Sequence, residues 1–332
     1  MTHLENIGER KIIELILDKL DKMPHMLIPF GDDVSAYPIG NNQLAILKTD
    51  MLVSKTDVPK GMNLWQAARK AVLMNVSDFA AKGVKPKAIL VSLGLPRKFT
   101  RKDVQEIAAG LNAGAREYSA YIIGGDTGEA SDLIISISLF GIARKNMIML
   151  RSGAKHGDIV AVTGVFGKTA AGLKILLEGF EAPVNIRKTL VNSVLMPTAR
   201  LKEGLALNQT KAVTASIDSS DGLAWSLHEI ARASNVGFLI DRLPTAEEAK
   251  KFAEINNLDP LELTLYGGEE YELVLTVKPE LWKKAEKTIK AVGSELLPIG
   301  KVTAERQILL EIDDKTIAIE PRGWEHFKNA RD

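Results

Sequence analysis

The chain has 332 residues, 45% hydrophobic and 26% charged, which suits one large or two medium globular domains. Its 43 Lys and Arg nearly balance its 42 Asp and Glu, so it lacks the basic patch that attracts nucleic acids or membranes. A bound nucleotide is therefore expected to be a small molecule. The absence of Cys excludes disulfides, thiolate metal sites and a cysteine nucleophile.

The N-terminal segment predicts a helix followed by a sharp bend. Glu14 and Asp18 interrupt the apolar run "KIIELILDKL", which predicts an amphipathic helix over about residues 4–22 and not a signal peptide. Downstream, "IPFGDDVSAY" sets Asp32 beside Asp33 directly after a glycine. Two carboxylates about 4 Å apart repel by roughly 4 kcal/mol at an effective dielectric near 20. The bend is therefore either a solvated turn or a corner of a cation site.

Strands and helices then alternate. "NQLAILKTDMLV" predicts a strand that ends near Thr49 and Asp50, and the pattern from Asn63 to Lys82 predicts a helix closed by Gly83. The N-terminal half is completed by the strand "KAILVSLGLP", a helix over about residues 100–118, and the strands "AYIIGGD" and "DLIISISLFGIA". No window approaches the roughly 18 apolar residues of a membrane span, so a cytoplasmic protein without a membrane partner is expected.

A seam at "RKNMIMLRSGAKHGD" predicts two domains, residues 1–147 and 148–332. Past it come the strand "DIVAVTG", a helix from about Thr169, the strand-turn-helix "AVTASIDSSDGLAWSLHEIARAS" and the segment "YGGEEYELVLTV". Because strands and helices interleave throughout, the predicted fold class is α/β or α+β (mixed), with two domains.

Acidic residues recur at the ends of apolar strands. "LAILKTD" ends at Asp50, "YIIGGD" at Asp126, and "ASIDSSDG" carries Asp218 and Asp221. Each one alone is most simply a turn former or a helix cap. Asp78 differs, because it lies inside a predicted helix on a face lined by alanines, where an unpaired charge is disfavoured. Together the acids indicate several divalent cations, and Mg²⁺ in proteins commonly bridges carboxylates to phosphates.

Gly124–Gly125 and Gly267–Gly268 support a phosphate site, because glycine lets a backbone approach a ligand closely.

Other site chemistries find no support. "TGVFGKTAAG" is not a P-loop, because Val162 stands where that motif needs its first glycine. The five histidines include no i, i+4 pair for zinc, and the chain has neither a G-x-S-x-G elbow nor a dinucleotide fingerprint after its first strand.

Eight segments, taken in order, carry a family resemblance: "GDDVSAY", "KTDMLV", "AARKAVLMNVSDFAAKGVKPKAIL", "YIIGGDT", "RSGAKHGD", "TGVFGKTAAGL", "SIDSSDGLAWSL" and "GGEEYEL". They closely resemble thiamine-monophosphate kinase, of the ATP-binding superfamily of aminoimidazole ribonucleotide synthetase. The resemblance implies ATP- and magnesium-dependent phosphorylation of thiamine monophosphate to thiamine diphosphate. It also implies a homodimer whose N-terminal sheets form a β-barrel on dimerisation, followed in each chain by an α+β domain.

The resemblance also assigns residues. The implied magnesium ligands are Asp33, Thr49, Asp50, Asp78, Asp126, Asp218 and Asp221. The implied ATP-contacting residues are Tyr118, Gly125, Asp126, Arg151 and Ser220. The implied substrate-contacting residues are Asp57, Glu269 and Trp324. Asp218 and Asp221 support catalysis through the metal, and no residue is assigned as a general base.

Three positions depart from the family pattern. Lys48 stands where bacterial members carry a serine, so a metal contact from that serine side chain is lost, although the backbone carbonyl remains. Asp57 falls where such members have a substrate-contacting histidine, and Glu270 stands where aspartate is frequent.

The chemistry needs no general base, because the second pKa of a phosphate monoester is near 6 and the acceptor oxygen is already ionised at neutral pH. Positioning and charge stabilisation are the main work of phosphoryl transfer, which is expected to proceed directly and in line. Arg151 is either a fixed positive fork against a phosphate or an interdomain salt bridge. Trp324 either stacks on a thiamine ring or plugs a core.

Two other functions remain open. Another enzyme of the superfamily is one, although selenophosphate synthetase and the hydrogenase-maturation relative would each be expected to carry a cysteine. Aminoimidazole ribonucleotide synthetase shares the fold, but "GGEEYEL" and "RGWEHF" favour the thiamine member. The second alternative is a non-catalytic nucleotide-binding sensor. Such a sensor could shed several acidic ligands, so the presence of all six aspartates argues against it: Asp33, Asp50, Asp78, Asp126, Asp218 and Asp221.

Overall fold

The structure is a computed structural model that describes residues 7–327. The strands are β1 (Ser35–Gly40), β2 (Gln43–Val53), β3 (Pro86–Leu95), β4 (Tyr121–Glu129), β5 (Ile134–Arg144), β6 (Ile159–Val162), β7 (Val213–Asp218), β8 (Gly237–Ile240), β9 (Leu273–Val277), β10 (Leu297–Thr303), β11 (Ile308–Ile312) and β12 (Lys315–Ala318). The α-helices are α1 (Gly8–Leu17), α2 (Ser54–Asp57), α3 (Leu64–Lys82), α4 (Arg101–Glu117), α5 (Lys168–Leu173), α6 (Val184–Leu195), α7 (Leu201–Thr210), α8 (Leu223–Ser234), α9 (Glu247–Asn256), α10 (Pro260–Tyr266) and α11 (Trp282–Ala291).

The strands form two sheets, one in each half of the chain. The first has five strands in the order β1-β2-β5-β3-β4, and the second has seven in the order β12-β11-β8-β10-β6-β9-β7. Most neighbours are antiparallel, with parallel pairs at β3–β4 and β8–β11. The predicted α+β class is confirmed.

Helix α3 lies between the two halves. It begins at a capping box, in which Asn63 and Gln66 bond to each other's backbone N–H groups, and it ends at Gly83 with φ +64°. Most of its residues are buried, because it packs on β2 and β5 on one side and on α7 and β7 on the other. Apolar residues lie on most faces of α3, and a helix with that pattern is expected to be buried on most sides. This position takes Asp78 into the interior.

Three predicted elements end elsewhere than expected. The strand predicted to end near Thr49 and Asp50 continues to Val53, because every residue of β2 pairs with β5. The strand β4 runs past Asp126 because it stays paired with β3 as far as Glu129. The opening helix ends at Leu17, where the chain turns, and residues 4–6 of the predicted helix lie outside the described residues.

One of the two edge strands of the first sheet, β4, is exposed to solvent along its whole length. Every residue of β4 is exposed, and Tyr121 and Ile123 keep 60% and 68% of their surface. By contrast, every residue of β9 in the second sheet is buried. Among residues 7–327, none of the helices has the length and apolar character needed to cross a membrane.

Candidate active site

Three buried carboxylates meet where the two halves contact each other. Asp33 comes from the bend before β1, Asp78 from α3 and Asp218 from the end of β7. Each offers a carboxylate oxygen, and the three oxygens lie within 4.8 Å of one another. Residues far apart in the chain thus form one acidic cluster, which we call the carboxylate cluster.

The Asp33 end of the carboxylate cluster is neutralised by two cationic side chains. Lys82 Nζ lies 2.7 Å from an oxygen of Asp32 and 2.7 Å from Asp33 Oδ2. Arg151 Nε donates to Asp33 Oδ1 at 2.6 Å, and the backbone N–H of Arg151 donates to Asp32 at 3.0 Å. Burial alone would raise the pKa of Asp33, but Arg151 and Lys82 outweigh it and hold that pKa below its ordinary value. The bend is therefore a fixed, charge-balanced corner and not a solvated turn.

The Asp78 and Asp218 end carries less positive charge. Lys48 Nζ lies 2.9 Å from Asp78 Oδ1, and Ser77 Oγ donates to Asp218 Oδ2 at 2.7 Å. Burial raises the pKa of Asp78 well above its ordinary value, and the lysine only partly opposes this. Burial, with the charge of Asp33, raises the pKa of Asp218 to about 6. Both carboxylates would gain from an added cation.

A cavity of about 330 Å³ opens beside this end. Its basic lining residues are Arg10, Lys48, Arg151 and His326. Its acidic lining residues are Glu9, Asp50, Asp57, Asp78, Asp218, Asp221, Glu229, Glu269 and Glu325. The wall is therefore strongly acidic. We call this space the acidic cavity.

The acidic cavity brings together the predicted substrate residues. Asp57 accepts a hydrogen bond from Val53 N–H at 2.7 Å, which holds α2 against the end of β2. Glu269 pairs with Lys70, a fully buried lysine of α3. Trp324 is 48% exposed, and its backbone N–H donates to the Asp221 backbone carbonyl at 3.0 Å. Predicted residues Asp50, Arg151 and Ser220 also line this cavity.

A second cavity of about 750 Å³ lies along the first sheet. Its polar residues include Asp33, Lys48 and Thr49, and its apolar ones include Leu90 and Ile123. Thr49 Oγ1 donates to the Ile137 carbonyl at 3.0 Å. We call this space the sheet cavity. Lys48 is the one described residue that lines both cavities.

The structure does not bring every predicted residue to this region. Gly125 and Asp126 lie on the exposed strand β4, away from the carboxylate cluster. A side chain at position 125 would place its Cβ 2.0 Å from the Val91 carbonyl oxygen, so the close pairing of β4 with β3 requires glycine there. Tyr118 is buried, and its hydroxyl accepts a hydrogen bond from Ala199 N–H at 3.0 Å.

Several charged residues of the site carry no motif that assigns them a role. Lys82 shares a helical face with Asp78, one turn earlier, and this i, i+4 spacing predicts that the two are neighbours but does not indicate the contacts of Lys82 with Asp32 and Asp33. Arg10 lies 2.7 Å from Glu229 and stacks on Trp225 at 3.5 Å from the ring centroid. No local pattern indicates this contact, because it joins α1 to α8.

The donor set fits a magnesium ion. Mg²⁺ prefers hard oxygen ligands and is commonly bound by one or two carboxylates together with phosphate oxygens. The carboxylate cluster offers such oxygens, and the cationic side chains of Lys48 and Arg151 already contact two of its members. The arrangement can neutralise an anionic ligand only if further cations enter with it.

The comparisons with known proteins agree along nearly the whole chain. The family models for AIR synthase related protein match residues 31–143 with the N-terminal domain and residues 155–313 with the C-terminal domain. The thiamine-monophosphate kinase of Nitrosopumilus maritimus is 35% identical over 98% of this chain and 100% of its own length. That of Pyrococcus horikoshii is 37% identical over 98% of both chains.

A solved structure gives the same result. "AaThiL complexed with AMPPCP and TMP" superimposes with a TM-score of 0.85 at 30% sequence identity, covering 98% of this chain and 99% of that one. Relatives matched at this identity over nearly their full length share the family and not merely the fold. The chain belongs to the thiamine-monophosphate kinase family, whose members are phosphotransferases.

Proposed function

We propose that this protein transfers the terminal phosphoryl group of ATP to thiamine monophosphate, giving thiamine diphosphate and ADP, in a magnesium-dependent reaction. The acidic cavity beside the carboxylate cluster is the observation that carries the proposal. Two polyanions can meet at such a wall only with divalent cations between them. The family and the neighbour bound to AMPPCP, an ATP analogue, and to TMP support the two substrates.

The magnesium ligands in this proposal are the three members of the carboxylate cluster and acidic residues of the acidic cavity. Asp33, Asp50, Asp78, Asp218 and Asp221 would hold the ions, with Thr49 and Asp126 as further candidates from the family pattern. Bound magnesium would neutralise phosphate oxygens and hold both substrates in line. Asp218 and Asp221 act through the metal and not as bases.

The acceptor is proposed to occupy the acidic cavity. Trp324 offers a half-exposed ring on which a thiamine ring can stack, and Glu269 is held in place by Lys70. Asp57 reaches the same cavity, fixed by the Val53 N–H. Because the acceptor phosphate is already ionised at neutral pH, these residues need only orient it.

ATP is proposed to lie along the sheet cavity with its phosphates toward Lys48 and the cluster. Leu90 and Ile123 offer apolar surface for a base. Arg151 and Ser220 line the acidic cavity, where they would contact the phosphates. Gly125 and Asp126 on β4 can contribute to ATP binding only if the nucleotide or a second chain reaches that strand. Tyr118 is buried, so it can contribute only by supporting the residues that cover it.

We propose that a second copy covers β4. Residues 1–147 would form the ATP- and metal-binding, dimerising domain, and residues 148–332 the outer α+β domain. An exposed apolar edge is an aggregation liability, and closure into a barrel removes it. Tyr121, Ile122 and Ile123 are all exposed on β4.

Sedimentation of Ile123→Glu tests this assembly. We expect the wild type to be dimeric at micromolar concentration and the variant to shift toward monomer, because a charge would be buried at the interface. Val184→Glu introduces the same charge at an exposed position of α6 and should leave the dimer intact. A fully active wild-type monomer of 36.2 kDa would contradict the proposal.

The activity itself is tested by incubating the protein with ATP, MgCl2 and thiamine monophosphate and separating the products. We expect thiamine diphosphate and ADP in equal amounts, no product in EDTA, and recovery on adding excess Mg²⁺. ADP without thiamine diphosphate would indicate a different acceptor. Nucleotide binding without turnover would indicate a non-catalytic nucleotide-binding sensor.

A further inference from the structure

Lys48 carries a positive charge into the carboxylate cluster from within the chain. Its Nζ lies 2.9 Å from Asp78 Oδ1, and 21% of its side chain remains exposed. The carboxylates of Asp50 and Asp218 also act on it electrostatically. The ammonium group thus lies where a cation balances several acids at once.

Lys48 also lies at the junction of two spaces. It lines the acidic cavity together with Asp78 and Asp218, and it lines the sheet cavity together with Asp33. Groups bound in the two cavities would therefore have Lys48 as a common neighbour.

A purely structural ion pair would look different, and Lys82 shows how. Lys82 is fully buried and its Nζ contacts Asp32, Asp33 and the Ser216 carbonyl, so its three donors are all used. Lys48 is partly exposed, and within residues 7–327 its side chain makes one hydrogen bond, to Asp78. Two N–H donors therefore remain for a ligand.

We propose that the Lys48 ammonium group is a resident cation that takes the place of one divalent ion beside Asp78. The inference rests on the proposed function for its meaning, since it fixes how many ions the reaction uses. A divalent ion and an ammonium group cannot both approach one oxygen of Asp78 without strong repulsion. Removing the ammonium group opens a place for one more ion.

Counting bound Mn²⁺ by electron paramagnetic resonance tests this, with the metal alone as the probe and no substrate. Lys48→Met keeps the length and apolar stem without the charge, and we expect it to bind one more Mn²⁺ per chain than the wild type. Lys290→Met removes an ion-paired lysine on α11 and should leave the number unchanged. The same number of bound Mn²⁺ ions in the wild type and Lys48→Met would overturn the proposal, whatever their affinities.

Two further variants guard against misfolding. Lys48→Ser should also gain an ion, whereas Lys48→Arg retains the charge and should bind the wild-type number. An extra ion in Lys48→Arg, or none in a folded Lys48→Ser, would equally overturn the proposal. Because no turnover is measured, failure of the kinase assay would remove the proposed function without deciding the ion count.

Discussion

The two ends of the carboxylate cluster are both buried and acidic, yet they differ in electrostatic balance. At one end Asp33 contacts Lys82 and Arg151, and its pKa lies below the ordinary value. At the other end the pKa of Asp218 rises to about 6, and its side-chain partner is the neutral hydroxyl of Ser77. The charge of Asp33 is already balanced by cationic side chains before any metal ion enters, whereas Asp218 is costly to keep ionised.

The contrast separates two uses of a buried acid. A carboxylate that already has cationic partners stabilises the folded chain, and removing it leaves those partners unpaired. A carboxylate that lacks them destabilises the chain and is best explained by a cation that arrives with the ligand. Substitutions at the two ends should therefore have opposite effects on stability.

Asp218→Asn should give the largest effect, on activity. We expect kcat to fall about 1,000-fold, roughly 4 kcal/mol of barrier, because the residue is proposed to act through the metal. In EDTA at pH 8 the melting temperature should be unchanged or higher, because the folded-state pKa near 6 lies above the ordinary 3.8 and ionisation costs stability. Near-normal turnover would show that Asp218 is only structural.

Asp33→Asn tests the other end. Lys82 and Arg151 would lose a charged partner, which should lower the free energy of unfolding by about 3 kcal/mol. Urea denaturation in EDTA measures it, and Asp218→Asn is the matched control because it makes the same chemical change within 4.8 Å. If both variants lose the same stability, the two ends do not differ as the charges indicate.

Part of this contrast is readable from the sequence. Asp78 on an alanine-lined helix face predicted a buried, functional charge, and Lys82 one turn later is linked to it by spacing that any helix imposes. The contact between Arg151 and Asp33 is harder to predict from the sequence, because only the tertiary fold brings these two residues together. Local patterns likewise predicted that β4 is a strand, but not that it is an uncovered edge.

Glu270 sharpens the comparison because its contacts are backbone N–H groups, from Gly167 at 2.7 Å and Thr169 at 3.0 Å. Burial raises its pKa to about 7 from an ordinary 4.5, so stability should fall as the pH rises between these values. The slope is at most about 1.4 kcal/mol per pH unit, reduced by solvent at the partly exposed side chain. Glu270→Gln should flatten this slope in urea denaturation, and an unchanged slope would assign it to another group.

His326→Asn should have the smallest effect and tests whether charge alone drives the site. His326 lines the acidic cavity and is the described histidine best placed to act as a base. Because the acceptor phosphate is already ionised, kcat/KM should stay within about tenfold of the wild type, roughly 1.4 kcal/mol. Between pH 6.5 and 9, kcat/KM should depend on pH in the same way in the wild type and in the variant. A loss of several orders of magnitude would mean that a histidine moves a proton in the reaction, and that the acidic residues and their cations are not sufficient for it.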